Sequence, residues 1–354
     1  MAGIYVHIPF CVSRCSYCDF FSTTCLDKRH EYVKAVINEW HERQDYLQGE
    51  AIQTIYLGGG TPSVLEIEDL RLLLEALPTR TAQEITMEAN PGDLNEDKLR
   101  TIRALGVNRL SIGIQCFDDE LLKRIGRRHN SQQAIEAVQM AQRVGFENIS
   151  IDLIYGLPEQ TLEHWKKQVT TALSLGVQHI STYCLMIEPS TTLGQQFDAG
   201  IIKQVDEDTE NSMYDYICKA AKAKGYEHYE ISNFALHDYE SQHNSSYWNG
   251  TPYIGLGAGA HSYNGHARQW NISDLEQYLS TRPFEVEELS ETDVYNEQIM
   301  LSLRTAKGLK TEVVEEQKIR PWIERGFIIQ EHDAYVATQK GQHILNTIIE
   351  DLMI

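Results

Sequence analysis

The chain is poor in three things, and each shortage excludes something. It has no run of about 18 apolar residues, so no helix that spans a membrane is expected. Positive charge is short: 31 Lys and Arg face 51 Asp and Glu, for a net charge of −20. Such a balance argues against broad electrostatic attraction to nucleic acid or to anionic lipid. Cysteine is scarce, at seven in 354 residues, too few for a disulfide-built fold of this size. The opening Met1-Ala-Gly-Ile-Tyr-Val-His-Ile-Pro9 has no basic segment followed by an apolar core. Secretion is therefore not expected, and unpaired thiols fit a reducing cytoplasm. No internal repeat and no low-complexity tract is present.

What cysteine there is, is concentrated. Cys11, Cys15 and Cys18 fall within Cys11-Val-Ser-Arg-Cys15-Ser-Tyr-Cys18. Thiolates grouped on one short loop point to a soft metal or an iron–sulfur cluster. A structural zinc site wants four protein ligands, and there is no second Cys-x-x-Cys pair to complete one. A [4Fe–4S] cube on three thiolates instead leaves one iron open for a small chelating molecule. Cys25, Cys116, Cys184 and Cys218 are scattered and read as small buried hydrophobes.

The first two thirds alternate apolar runs with amphipathic stretches. Strands are expected at Ile4 to Ile8, Thr54 to Leu57, Glu84 to Glu88, Arg109 to Gln115, Ile149 to Tyr155 and Gln178 to Leu185. Helices are expected at Lys28 to Gln48, Glu66 to Leu77, Glu96 to Leu105, Ser131 to Val144 and Thr161 to Leu175. Gly106, Gly145 and Gly176 each precede an apolar residue just past a helix, which suits a left-handed stop. The order predicts an α/β fold: a parallel sheet with helices outside. Six strands are too few for a closed eightfold barrel, so an open, partial (β/α)6 TIM-like barrel is expected.

The strands also have two unlike faces. Ile149, Ile151 and Leu153 share one side of their strand, and Ser150 and Asp152 the other. Glu84, Thr86 and Glu88 alternate with Ile85 and Met87, and Tyr5 and His7 with Ile4, Val6 and Ile8. One face packs on helices, and the polar face lines a lumen suited to a ligand. Glu88 and Gln115 end strands, where ligands sit in parallel α/β folds, and Arg127 follows on a short helix. Asp152, in an apolar strand, needs a partner or a ligand. His7 is placed to support the cysteine loop. Gly58-Gly59-Gly60-Thr61-Pro62 follows a strand. It can bring backbone close to a ligand, or it is a turn into a helix capped by Thr61.

The cysteine spacing, with Tyr17 before the third cysteine, resembles the radical S-adenosylmethionine (SAM) superfamily. That resemblance implies a [4Fe–4S] cluster on Cys11, Cys15 and Cys18, whose open iron takes the amino and carboxylate groups of SAM. A reduced cluster in this family cleaves SAM to a 5′-deoxyadenosyl radical. Tyr5-Val-His-Ile-Pro-Phe-Cys11, Gly58-Gly-Gly-Thr-Pro-Ser63, Glu88-Ala-Asn-Pro-Gly92, Ser111-Ile-Gly-Ile-Gln115 and Asp152-Leu-Ile-Tyr-Gly-Leu-Pro158 resemble a narrower branch. It contains oxygen-independent coproporphyrinogen III oxidase and, more similar to this chain, haem chaperones. By matching position, Tyr5, Tyr17, Gly59, Gly60, Thr61, Glu88, Gln115, Arg127 and Asp152 would line the SAM site. The oxidases carry a fourth cysteine two positions after the third, where this chain has Phe20. His243-Asn244-Ser-Ser-Tyr247-Trp248 resembles the haem-chaperone motif. It implies haem as a further ligand, with His243 as iron ligand, Asn244 beside it, and Tyr247 and Trp248 shaping the pocket. The bland reading of this segment is a polar loop anchored by its aromatic rings. The close backbone of Ala258-Gly-Ala-His261 is placed to complete the SAM or haem pocket; His261 is a weaker candidate, and an ordinary packed histidine is the equal alternative.

The resemblance favours a haem chaperone that transfers haem to acceptor haemoproteins, respiratory ones among them, with transient membrane contact compatible. Radical decarboxylation of coproporphyrinogen III is the enzymatic alternative. The domain expectation is a core over residues 1–235, then the haem-motif segment and a smaller, mostly helical unit over 236–354. Helices at Asp293 to Thr305 and Thr311 to Arg325, two short strands and a last helix from Lys340 to Met353 resemble a winged helix. From Thr311 onward there are eight acids and only four Lys or Arg, the wrong sign for phosphate binding. That unit reads as a lid or a docking module.

Overall fold

Alternation along the strands decides the architecture. The computed structural model describes all 354 residues. Six strands, β1 (Ala2–Ile8), β2 (Ile52–Gly59), β3 (Glu84–Ala89), β4 (Arg109–Gln115), β5 (Asn148–Tyr155) and β6 (His179–Cys184), lie side by side in chain order, all parallel. Between them run α1 (Arg29–Glu42), α2 (Ile67–Ala76), α3 (Glu96–Ala104), α4 (Asp119–Arg124), α5 (Ser131–Val144) and α6 (Leu162–Ser174). The result is the expected open, partial barrel. Ile4, Val6, Ile55, Leu57, Ile112, Ile149, Ile151 and Leu153 are fully buried against the helices in one continuous core. Burial of that apolar face, at about 25 cal/mol per Å2, is the main driving force for the unit.

Local signals end the helices where the sequence expects. Gly106, Gly145 and Gly176 all have positive φ, at 103°, 96° and 65°. Asn130 and Gln133 form a reciprocal capping box at the start of α5. The long helix expected to Gln48 instead stops at Glu42 and gives way to a 3-10 turn over Gln44–Leu47.

The sheet extends further than six strands at both edges. Beyond β6, α7 (Thr192–Asp198) and α8 (Glu207–Lys222) lead to the short antiparallel strands β7 (Glu227–Glu230) and β8 (Asn233–Ala235). After α9 (Gln242–Trp248) the chain crosses to the opposite edge. There β9 (Tyr253–Leu256) pairs parallel with β1, and β10 (His261–Tyr263), β11 (Ala267–Asn271) and β12 (Phe284–Glu288) follow antiparallel. The cut expected at 235/236 thus falls inside one twelve-stranded sheet. Glu39 of α1 fastens this added edge. Its buried carboxylate accepts from Gly257 N (2.9 Å), Asn271 Nδ2 (2.7 Å), Tyr278 Oη (2.7 Å) and Arg43 Nη1 (2.7 Å).

A second core lies in the last sixty or so residues, built from Ile299, Leu309, Ile319, Trp322, Ile328, Ile348 and Leu352 among others. Helices Glu291–Ser302, Glu316–Glu324 and Leu345–Leu352 pack on a three-stranded antiparallel sheet, the winged-helix-like pattern expected. The final helix is broken, running as Gln339–Gln342 and Leu345–Leu352.

Candidate functional site

The ends of β1 to β4 build the mouth of the barrel. After β1 the chain turns into the cysteine loop, pinned from both sides. Cys11 N donates to Thr23 O (2.9 Å), Ser16 N to Ile125 O (3.1 Å) beyond α4, and Leu193 N of α7 to Ser16 O (2.8 Å). His7 supports the loop as expected: its Nε2 meets Phe21 O at 2.9 Å, while Tyr5 Oη meets its Nδ1 at 3.0 Å. Cys11, Cys15 and Cys18 are all free thiols. Burial first, and then each other's charge, pushes the thiols of Cys11 and Cys18 above their ordinary range. Three mutually repelling thiolates on one fixed loop suit a cation that relieves the repulsion. No three His, Cys, Asp or Glu side chains close tightly enough to grip one metal ion. A cube does not ask for that, because each thiolate binds a different iron.

The glycine run makes the wall next to the loop. Gly59 has φ 109°, and a Cβ there would lie 2.6 Å from the His7 ring; at Gly60 it would lie 2.7 Å from the Pro9 carbonyl carbon. Only glycine lets β2 pass this close to the end of β1. Thr61 does not cap a helix. Its Oγ1 instead meets Cys11 Sγ at 3.4 Å, so the capping alternative fails on geometry.

Below the loop, the inner faces of the strands converge. Glu88 accepts from Tyr56 Oη (2.8 Å) and Gly59 N (3.1 Å). Burial raises its pKa to about 7. Asp152, also raised by burial, accepts from Ser111 Oγ at 3.1 Å and is held by Ser181 as well. Arg127 reaches back over the mouth. Its Nη1 approaches Cys15 Sγ (3.4 Å), its Nη2 donates to Gly113 O, and its buried Nε has no partner. Gln115 holds a positive φ of 69°, a strained conformation of the kind that collects at ligand sites. Tyr17 is half-buried and packs against the cluster that includes Leu121, Leu185 and Leu193. The nine residues expected around SAM, Tyr5 through Asp152, thus lie along the inner face and the mouth of one lumen.

His243 approaches them from below, its ring 6.4 Å from that of Tyr5. It lies on α9, at the opposite end of the strands, where it plugs the barrel. Its Nδ1 meets Thr54 Oγ1 at 2.8 Å and its Nε2 meets Tyr247 Oη at 2.8 Å. Glu84, first residue of β3, accepts the backbone N–H groups of Gln242 and His243 at 2.9 and 3.0 Å. The imidazole is fully buried, with the Tyr56 ring 5.1 Å away. Both ring nitrogens are engaged here, so to act as the iron ligand that the motif implies His243 exchanges Thr54 or Tyr247 for the metal. Tyr247 completes the plug, edge-on to Tyr253 at 4.7 Å, while Asn244 contributes its backbone N–H to Ser241 Oγ (3.3 Å) and Trp248 ends the helix. Along β1, Gly3 sits against His243 and Ile8 leads into the cysteine loop. At about 3.3 Å per residue the two ends are roughly 15 Å apart.

Several participants were not singled out in the sequence. Ser111 and Ser181 hold Asp152, and Arg109, fully buried on the same inner face, leaves its Nε and Nη1 unpartnered. Extending the inward alternation along β4 and β6 finds all three. Of the scattered cysteines, Cys116 is buried as expected, Cys184 and Cys218 are partly so, and Cys25 is exposed.

Comparison with known proteins agrees with this geometry. Residues 5–171 match the family model of the radical SAM superfamily. A haem chaperone HemW of Lactococcus lactis is 36% identical over 99% of this chain and 97% of its own length. Its counterpart in Bacillus subtilis is 34% identical over 98% of both. Among solved structures, the radical SAM enzyme coproporphyrinogen III oxidase (HemN) of Escherichia coli superposes with a TM-score of 0.84, at 23% identity, over 99% of this chain and 90% of that one. At that identity the likeness speaks for the fold.

The plug generates a stability prediction. His243→Ala should cost about 3 kcal/mol, because it opens a cavity and strands Thr54 and Tyr247; urea denaturation of the cluster-free protein reads it. Burial, then the field of Arg109, lowers the His243 pKa to about 3. The contribution is therefore complete above the unfolded value of about 6.5 and is lost as pH falls towards about 3, since the unfolded chain takes up the proton first. Between pH 7 and pH 5, His243→Gln should lose less stability than the parent. An equal loss in both would refute the assignment.

Proposed function

The chain belongs to the radical SAM superfamily and, within it, to the HemW family, and from that membership we propose that it is a haem chaperone: it binds haem and transfers it to acceptor haemoproteins. One observation carries the reading, the likeness to curated haem chaperones over almost the whole length of both chains. Phe20 supports it, standing where the oxidase branch has a fourth cysteine.

The cofactors of this reading are a [4Fe–4S] cluster and SAM. Cys11, Cys15 and Cys18 would hold the cluster, which supplies an electron source and an open iron. Glu88 and the backbone around Gly59 and Gly60 would receive the amino group of SAM. Arg127, Gln115 and Asp152 offer complementary donors and acceptors for its other polar groups. Tyr5 and Tyr17 close the sides, and Thr61 steadies Cys11. Arg127 also sets a positive charge beside Cys15, which offsets the negative charge that cluster thiolates bring.

Free thiols and an oxygen-sensitive cluster suit a reducing cytoplasm. No helix is long and apolar enough to cross a membrane. The acceptors extend, on this reading, to respiratory haemoproteins met by transient contact at a membrane. Met186, Phe197 and Ile201 remain exposed on the segment after β6 and supply apolar surface for such a contact.

Anaerobic reconstitution followed by parallel assays tests the proposal. Stoichiometric haem uptake and transfer to an apo-haemoprotein, without conversion of coproporphyrinogen III, is expected; catalytic conversion to protoporphyrinogen would establish the enzymatic alternative. The Glu88 pKa gives a second test. Its raised value near 7 means the accepting carboxylate forms as pH rises through neutrality. SAM affinity of the reconstituted protein, measured by equilibrium dialysis, should increase between pH 6 and pH 8, and Glu88→Gln should flatten that rise. A parent profile with no rise would remove Glu88 from the role.

A further inference from the structure

One level of the lumen is left unserved by the side chains around it. Tyr5, Tyr56, Thr86, Arg109 and Asn148 are register partners in turn across β1 to β5. All five have the inward parity of their strands. Three of them carry buried polar atoms with no hydrogen-bond partner: Thr86 Oγ1, Arg109 Nε and Nη1, and Asn148 Oδ1. The next level towards the mouth differs. Glu88, Ser111 and Ser150 follow one another in register there. Each is bonded, Glu88 to Tyr56 and Gly59, Ser111 to Asp152, and Ser150 to His179. Within β1 to β6, the buried side-chain atoms without a partner all lie at the level of Arg109.

Arg109 is the centre of that level, and it is only 1% exposed. A guanidinium keeps its charge at any ordinary pH, and a buried charge wants a counter-ion in contact. The inward carboxylates of β1 to β6 are spent elsewhere. Glu88 and Asp152 feel the field of Arg109, yet Glu88 is turned to Tyr56 and Gly59, and Asp152 to Ser111 and Ser181. Glu84, nearer the floor, gives its two oxygens to the backbone of α9. The missing acceptor must come from outside the chain. Ordered water would fill the hydrogen bonds but not supply the charge. With two carboxylates already in its field, the site suits a single negative charge better than a phosphate dianion. A planar carboxylate also takes paired N–H bonds from a guanidinium, and the Thr86 hydroxyl is one strand away to add another. The level lies on the His243 side of the lumen: the Tyr56 ring is 5.1 Å from that of His243, and the charge of Arg109 acts on the imidazole.

We infer that Arg109, flanked by Thr86 and Asn148, is a carboxylate site at the floor of the lumen, and that its ligand is a propionate of haem bound at His243. The inference rests on the haem-chaperone reading and names the group that orients the cargo. Haem is a flat, largely apolar disc with its carboxylates on one edge. A guanidinium held near the iron ligand selects that edge, as a few placed polar groups do in an otherwise apolar binding site. Exchange of Thr54 or Tyr247 for iron loosens the plug beneath Arg109, which gives the carboxylate its way in. The arginine keeps its unmade bonds until the cargo is loaded.

Ferric haem and its dimethyl ester, titrated in parallel into the reconstituted protein, provide the test, because the ester keeps the iron and the ring but loses the charge. The parent should bind the free acid about tenfold more tightly than the ester, or better. Arg109→Met should bring the two affinities together, with the optical signature of the iron ligand and the iron and sulfide content unchanged. A second measurement needs no haem at all. Arg109→Met removes an unpaired buried charge, so the ligand-free variant should unfold in urea at the parent midpoint or above it. If the parent binds acid and ester alike, if the preference survives in Arg109→Met, or if that variant unfolds well below the parent midpoint, Arg109 is not a carboxylate site and the inference fails, although the chaperone reading stands. If the parent protein takes up no haem, the chaperone reading falls and this site with it.

Discussion

The structure depends on one conflict within its strands. The outward side chains of β1 to β6 are apolar and drive packing on the helices, while the inward ones carry ionisable and hydroxyl groups. A closed barrel would have to fill its interior with such groups, at a desolvation cost that unpaired charges seldom recover. Opening the sheet leaves the polar face accessible at the strand C-termini. It also spaces most of the charges so that they meet an acceptor or donor, although Arg109 Nε and Nη1 and Arg127 Nε stay unpartnered. Glu88 has Tyr56 and Gly59 N, Asp152 has two serines, and Arg127 has a carbonyl and a thiol. The ligand site is what remains where this polar face runs out of protein partners.

Closing the other end is equally constrained. The strand N-termini would expose Thr54, Glu84 and the ring of Tyr56 to solvent from below. α9 covers them, and its first turn spends its free N–H groups on Glu84, so a buried carboxylate and a helix N-terminus satisfy each other. His243 fits this role well because a neutral imidazole has one donor and one acceptor to give, and Thr54 and Tyr247 use both. A residue suited to ligating iron is thereby equally suited to plugging a barrel. The two uses compete for the same nitrogens.

That competition explains what the sequence made legible. The parallel order, the helix stops at Gly106, Gly145 and Gly176 and the polar inner face all follow from local periodicity, and all appear in the fold. The grouping of Tyr5, Glu88, Gln115, Arg127 and Asp152 at one mouth follows from strand parity. The added strands β7 to β12 were missed because they are three to five residues long, too short for alternation to register. The place of His243 is not legible for a different reason. A motif states which residue types travel together, whereas which end of a barrel they occupy depends on how a chain returns across the sheet. Here it returns by way of α9 to the β1 edge, so the segment passes beneath the lumen before it reaches the rim.

The same return path also braces the mouth of the barrel. Glu39 anchors Gly257, Asn271 and Tyr278 together, so the Gly257–Ala260 turn is held rigidly at the side of the mouth. Whatever that turn carries faces the cluster loop at fixed spacing. The interior of that mouth is lined by Glu88, Asp152 and Arg127, so it offers a ligand charge and hydrogen bonds in place of apolar contact. The far edge of the sheet thereby supports the cluster loop: Glu39 on α1 holds the turn, and the turn at Gly259 lies against Phe21 just past the cysteines.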